Sequence, residues 1–212
     1  MRDDEASADM ACARPHVIPD LDAKASEFFS FRDLIECGET WAKLAGREVG
    51  FDNRPVQPET WHALSMLATN LLDPIRRRFG PVLLTFGFCS PELARAIRTN
   101  PQPRISPADD QHASCELDRR DKLICVHGGA SCDFMIVGQA DRMDEVGAWI
   151  VENLKFDVLY YYGRDRALHL SWAQQERRMV VRMRTFPESG RRMPAGRAYG
   201  LVGTRLLLRE MN

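Results

Sequence analysis

The chain predicts an α+β fold, an antiparallel sheet flanked by helices. Three observations carry this. Helical patterns come first, and strands mixed with helices follow. Two apolar runs, "FDVLYYYG" and "ALHLSWA", are joined by the turn "GRDR", which reads as a hairpin. There is no internal repeat.

The elements follow in order. Residues 1–25 are polar, rich in Ala and Asp and without periodicity, and read as an acidic flexible tail. "ASEFFSFRDLIECGETWAKLAG" begins with a Ser/Glu signal and ends at Gly46, so part of it is expected to be helical. "GFDNRPVQP" is a loop. "PETWHALSMLATNLLDPIRRRFG" gives the clearest helix. Pro58 opens it, Trp61, Leu64, Leu67, Ala68, Leu71 and Leu72 form its apolar stripe, and Gly80 closes it. Pro74 is expected to kink its last turns. "PVLLTFGF" is a short apolar run between turn residues, hence a buried strand. "SPELARAIRT" is a short helix capped by Ser90, with Pro91 at its first position.

"NPQPRISPADD" is a Pro-rich loop, and "SCDFMIVG" reads as a strand. "MDEVGAWIVENL" is an amphipathic helix with Val146, Trp149 and Ile150 on one side. After the hairpin, "RMVVRMR" offers a further strand. A domain over 26–185 and a basic extension over 186–212 complete the expected organisation.

Composition bounds the function. Hydrophobic residues make up 44% and charged residues 28%, a soluble globular balance, and the formal net charge of −1 argues against nucleic acid as a partner of the whole molecule. The charge is uneven: the first ten residues are acidic and the C-terminal third is rich in arginine. Two solvated tails account for this; the alternative is a basic docking surface for an acidic partner. No apolar run approaches a membrane span, and the N-terminus lacks the basic start of a secretory signal, so no membrane partner and a cytoplasmic location are expected. Cys12, Cys37, Cys89, Cys115, Cys125 and Cys132 are then buried small hydrophobes or metal ligands rather than a disulfide framework.

Three segments place His or Asp in strand or strand-edge contexts: "DQHAS", "SCDFM" and "ALHLSW". Two imidazoles and one carboxylate bind Zn2+ well and leave a fourth position open, the arrangement of a catalytic site. With the helix "ALSMLATNLLDPIRRRFG" and the segment "TFGFCSPEL", these motifs stand in an order that resembles the zinc D-alanyl-D-alanine carboxypeptidases and dipeptidases, which share a fold with the hedgehog signalling domain. The resemblance covers roughly residues 26 to 175. In that family a strand ends "SGYRS", "SxHxxGxAxD" follows a loop, and a hairpin carries a final histidine.

The resemblance implies His112, Asp133 and His169 as metal ligands, with "ASCELDRRDKLICVH" inserted before the strand that carries Asp133. His127 competes for the first position, but only five residues separate it from Asp133 where the pattern has six, and a one-residue slip turns a strand side chain to the other face. A structural zinc knuckle built from His112, Cys115, Cys125, His127 and Cys132 is a further alternative. The family arginine that contacts substrate falls at Cys89, leaving Arg164, Arg166 or Arg104 as substitutes. The family glutamate base is absent, and Asp165 is the nearest carboxylate before His169. The implied activity is zinc-dependent hydrolysis of a small peptide, including one with D-amino acids, with Asp165 as base. The alternatives are a domain of the same build that binds without hydrolysing, or another zinc-dependent reaction on the same scaffold.

Overall fold

The computed structural model describes residues 18–45, 52–98, 111–186 and 192–201. Its helices are α1 (Phe31–Ile35), α2 (Gly38–Ala45), α3 (Pro58–Leu67), α4 (Asp73–Phe79), α5 (Pro91–Arg98) and α6 (Met143–Asn153). Its strands are β1 (Val82–Phe86), β2 (Ala130–Ile136), β3 (Val158–Tyr161), β4 (Leu168–Trp172), β5 (Met179–Thr185) and β6 (Arg192–Tyr199). They form one six-stranded sheet in the order β1-β2-β4-β3-β5-β6, so the mixed α+β class is as expected.

The N-terminal helices are specified locally. Ser30 caps α1 in a reciprocal box with Asp33, whose carboxylate accepts from the Ser30 amide at 2.8 Å. In the long helix, the whole stripe from Trp61 to Leu72 is buried, and Gly80 ends it at φ 98°. Residues Ala68–Leu72 open into a π-helical turn between α3 and α4, with the Asp73 amide donating to Ala68. The expected disturbance near Pro74 takes this form. A proline supplies no N–H and crowds the carbonyl four residues before it, and the wider turn accommodates both. Ser90 caps α5, accepting from the Leu93 amide at 3.1 Å.

The sheet differs from expectation at one pair. The hairpin β3–β4 is antiparallel, as are β1–β2, β2–β4 and β5–β6, but β3 and β5 are parallel. The chain leaving β4 does not fold back onto it. It crosses the start of β3 and runs beside that strand. Arg177 fixes the crossing: its guanidinium grips the buried Asp157 carboxylate at 2.8 and 2.7 Å, and the Met179 amide donates to the Asp157 carbonyl at 2.9 Å.

The core lies between one face of the sheet and the helices. Cys132, Phe134, Ile136, Leu168, Leu170, Leu159 and Val180 meet the α3–α4 stripe and Val146, Ile150 and Val151 of α6. Trp149 is half-buried, its ring edge-on to Phe79 with 5.4 Å between centroids. Leu21 and Ala25, within the stretch expected as a tail, are buried in this core, and Ser26 and Glu27 donate to the buried Asp73 carboxylate. The first seventeen residues lie outside the described region. β6 carries the sheet past residue 185, into the stretch expected as an extension.

Candidate metal centre

The opposite face of the sheet carries the site. Asp133 on β2 and His169 on β4 are direct register partners, so the antiparallel ladder places both side chains on one face. Their neighbours Cys132 and Leu170 point the other way, into the core. His112 comes from a loop packed over this face. Its ring stands edge-on to Phe86 at 4.6 Å and to His169 at 5.0 Å.

Four contacts hold that loop. The Cys89 amide donates to the His112 carbonyl at 2.9 Å, Gln111 donates to the Gly128 carbonyl at 2.8 Å, and Ser114 donates to the Gly129 carbonyl. The buried Glu116 carboxylate accepts from the amides of Val56 and Gln57 and from the Thr60 hydroxyl, at 2.9–3.2 Å, and so caps α3 from a distance. Residues 113–127 are therefore a compact loop, closed by a bridge between Leu117 and Leu123.

Among the described residues, His112, Asp133 and His169 are the one set of three or more His, Cys, Asp or Glu whose donor atoms converge, all within 4.8 Å of one another. Asp133 Oδ1 lies 3.4 Å from His112 Nε2 and 2.9 Å from His169 Nδ1. Tetrahedral zinc, with bonds of about 2.0–2.1 Å, separates its ligand atoms by about 3.3 Å; the 3.4 Å spacing matches this, and the 2.9 Å spacing, a hydrogen bond here, would widen by about 0.4 Å to admit the ion. Nδ1 of His112 faces the Gly87 carbonyl at 2.8 Å, the outer hydrogen bond that fixes a metal-binding imidazole. Nε2 of His169 is buried with no hydrogen-bond partner among the described residues. Burial by itself would raise the Asp133 pKa, but the imidazoles of His112 and His169 overcome it and hold the carboxyl well below the usual range. The Asp133 carboxyl is thus kept in its ionised form. The two histidines are 1% exposed, while the Asp133 side chain is 23% exposed, so the site opens to solvent on the carboxylate side.

The remaining expected site residues do not join it. Asp165, Arg164 and Arg166 are exposed in the β3–β4 turn, and Arg164 donates outward to the Asp141 carbonyl at 2.9 Å. The turn packs toward the start of α6, where the Met143 amide donates to the Arg164 carbonyl. Asp165 is not among the donor atoms that converge. Cys89 is fully buried, its thiol directed to the Ser90 carbonyl at 3.7 Å, and has no side-chain reach for substrate. Arg104 lies outside the described residues. His127 is exposed, and Cys115, Cys125 and Cys132 form no cluster with it.

Three supporting residues carry no motif. Asn53 is buried, donates to the carbonyls of Ile35 and Phe88 and accepts from the Ser90 amide, and so fixes segment 87–90. Gly87 has no room for a side chain, because a Cβ there would stand 2.1 Å from the Leu34 carbonyl oxygen. Tyr160 is the register partner of His169 on β3, its ring 4.9 Å from the imidazole. Only Tyr160 had a sequence signal, its place in the apolar run "FDVLYYYG". Comparison with family models, with curated proteins and with solved structures finds no match to this chain.

Proposed function

We propose that the chain is a zinc-binding domain of peptidase-like build that takes a small peptide at an open metal position. The convergence of His112, Asp133 and His169 carries this reading. His112 through Nε2, His169 and the Asp133 carboxylate would hold the ion, and three protein donors leave room for an exogenous one. Zinc so held supplies Lewis-acid polarisation of a carbonyl and lowers the pKa of a coordinated water. The chain's own contributions are orientation and charge. The Gly87 carbonyl sets the His112 ring, the β2–β4 ladder sets Asp133 and His169, and the single carboxylate offsets half of the ion's charge.

Recognition without efficient hydrolysis fits this site best, because Asp165 stands in solvent and Cys89 is buried where the resembling enzymes carry an arginine. A general base must come within hydrogen-bond reach of the proton it removes. Hydrolysis of a small peptide, D-amino-acid peptides included, is the second reading. One observation favours it: a three-donor set that opens to solvent belongs to catalytic rather than structural zinc.

Elemental analysis of the purified protein, with turnover measured on a mixed L- and D-peptide library, tests both. About one zinc per chain is expected, lost in His112→Ala, Asp133→Ala and His169→Ala and kept in His127→Ala. Zinc undiminished in the first three variants would end the metal reading. Library turnover that disappears with the metal would replace recognition by hydrolysis.

A further inference from the structure

We propose that the outer ribbon of the sheet, β5 with β6, is an arm that enters the major groove of duplex DNA through arginines on both of its faces. The metal centre takes no part in this.

The near-zero net charge of the chain hides a separation. From residue 177 onward the sequence has nine arginines, no lysine and two glutamates, a net of +7 in a chain whose total is −1. A local surplus of this kind is the electrostatic footprint of a polyanion partner. The fold gathers four of these arginines on one ribbon. Neither β5 nor β6 carries an acidic residue. Among the described residues, Arg32, Arg77, Arg142 and Arg177 are ion-paired, while Arg182, Arg184, Arg192 and Arg197 have no carboxylate within pairing distance.

The ribbon runs on past the rest of the sheet. β3 pairs with β5 only as far as Arg182, whereas β6 follows β5 to Thr185. Burial changes at the same place: Met179, Val180 and Val181 are buried, and Arg184, Thr185 and Phe186 are exposed, as are Arg192 to Ala195 opposite them. Phe186 lies four residues beyond Arg182. At about 3.3 Å per residue that is about 13 Å of two-stranded arm, more than the roughly 8.5 Å depth of the B-DNA major groove.

Register divides the arginines between the faces. Arg182 and Arg184 alternate with Val181, Met183 and Thr185 along β5. Val181 is paired with Arg197 and Thr185 with Arg192, so these two lie on the face that Arg182 and Arg184 do not. Contacts agree with this division. The Arg192 guanidinium stands 5.3 Å from the Tyr162 ring centre, and that of Arg184 stands 5.9 Å from Phe186, two residues along its own strand. Stacking on a ring leaves the in-plane N–H donors of a guanidinium free for phosphate.

A flat anionic partner, membrane or protein, can meet one face of a ribbon only and would leave two arginines idle. A groove encloses the ribbon and sets a phosphate wall against each face. The B-form major groove, about 12 Å wide, admits a two-stranded ribbon, and the A-form groove of duplex RNA is too narrow. The exclusive use of arginine suits phosphate, which a guanidinium grips through paired donors.

Fluorescence anisotropy with a dye-labelled DNA duplex of two helical turns tests the proposal on the full chain, with and without chelator. Four phosphate contacts predict a slope of log affinity against log salt of about −3.6, a loss of roughly 150-fold between about 50 and 200 mM salt. Arg182→Gln/Arg184→Gln and Arg192→Gln/Arg197→Gln, one pair from each face, should each reduce the slope to about −1.8, a loss of roughly 12-fold over the same range. Arg119→Gln, exposed on the loop that carries His112, should leave the slope unchanged. Urea unfolding checks that the variants fold; where a double variant does not, its two single variants carry the test, each expected to remove about 0.9 from the slope. Chelation should change nothing. Absence of salt-dependent binding to the duplex would overturn the proposal, as would its loss on chelation. A slope that responds to one pair of arginines alone would show a flat partner instead of a groove. Binding as tight to duplex RNA, polyglutamate or phosphatidylserine vesicles would assign the arm to another polyanion, and self-association in place of duplex binding would assign it to a second copy of the chain; either result refutes the DNA arm.

Discussion

Gly87→Ala would place a Cβ 2.1 Å from the Leu34 carbonyl oxygen and 2.7 Å from the Cys37 sulfur. The first of these neighbours is backbone and cannot simply swing away. The Leu34 carbonyl also accepts from the Phe88 amide at 2.9 Å, and Leu34 is fully buried. Since Cβ contacts below 3.0 Å essentially never occur, the backbone at residue 87 must retreat by at least the 0.9 Å between 2.1 and 3.0 Å. The Gly87 carbonyl stands 2.8 Å from His112 Nδ1, and a retreat of that size in the unfavourable direction takes the pair beyond 3.5 Å. Two costs are expected. Overpacking lowers stability by about 1–3 kcal/mol. Loss of the outer hydrogen bond to a ligating imidazole weakens zinc binding by roughly 10–100-fold. Urea unfolding measures the first, and zinc competition against a calibrated chelator measures the second. Gly147→Ala is the control. Its added Cβ meets Leu168 and Leu159 only at 3.8–4.0 Å, within helix α6, so stability should hold or rise by up to about 1 kcal/mol. Unchanged zinc affinity in a destabilised Gly87→Ala protein would refute the link between this carbonyl and the His112 ring.

Asp165→Asn is expected to leave zinc content, peptide binding and any turnover within twofold of the parent, because the side chain is exposed in the β3–β4 turn; a large loss in any of these would bring Asp165 back to the site. Glu116→Ala strands two amides and a hydroxyl at the start of α3, so urea unfolding should show a loss of roughly 3 kcal/mol, with Glu116→Gln intermediate. Burial, reinforced by the Asp133 and Asp33 carboxylates, pushes the Cys37 thiol up to about 12, so iodoacetamide at pH 8 should leave it unmodified in the folded chain. The folded state then holds this proton more tightly than the unfolded one. Its contribution to stability is complete below the unfolded thiol value near 8.5 and is lost as pH rises from there toward 12, and Cys37→Ala should flatten that decline.

What the sequence made legible was whatever its own neighbourhood decides. The stripe from Trp61 to Leu72, the capping of α5 by Ser90 and the β3–β4 hairpin each depend on residues within a turn or two of one another, and each appears as expected. The parallel pairing of β3 with β5 was not legible, because it is set by Arg177 reaching back twenty residues to Asp157 rather than by either strand's pattern. At the site, His112, Asp133 and His169 were found from motif order, and the structure brings them together. Asp165 was chosen by nearness in the chain to His169, but a turn reverses direction within two residues, and here it carries the carboxylate into solvent. Asn53 and Glu116 escaped notice because their partners stand 18 to 37 and 56 to 60 residues away, with no periodicity to mark the relation.

Two of the three candidate metal donors are built into paired strands, while the third rides on a loop. An ion that binds all three therefore does thermodynamic work on the loop alone. The sheet donors are already in place, and the free energy of binding adds to whatever keeps residues 111–128 closed. That stabilisation should be local and readable amide by amide. The N–H groups of Ser114, Glu116, Ile124 and Gly128, which close the loop on itself, would exchange with solvent more slowly as free zinc rises, while those of β2 and β4 would scarcely change. The loop would then act as a gauge of metal supply: tightly shut when zinc is plentiful, opening to solvent when it is scarce, and exposing Cys125, now buried, in the same event.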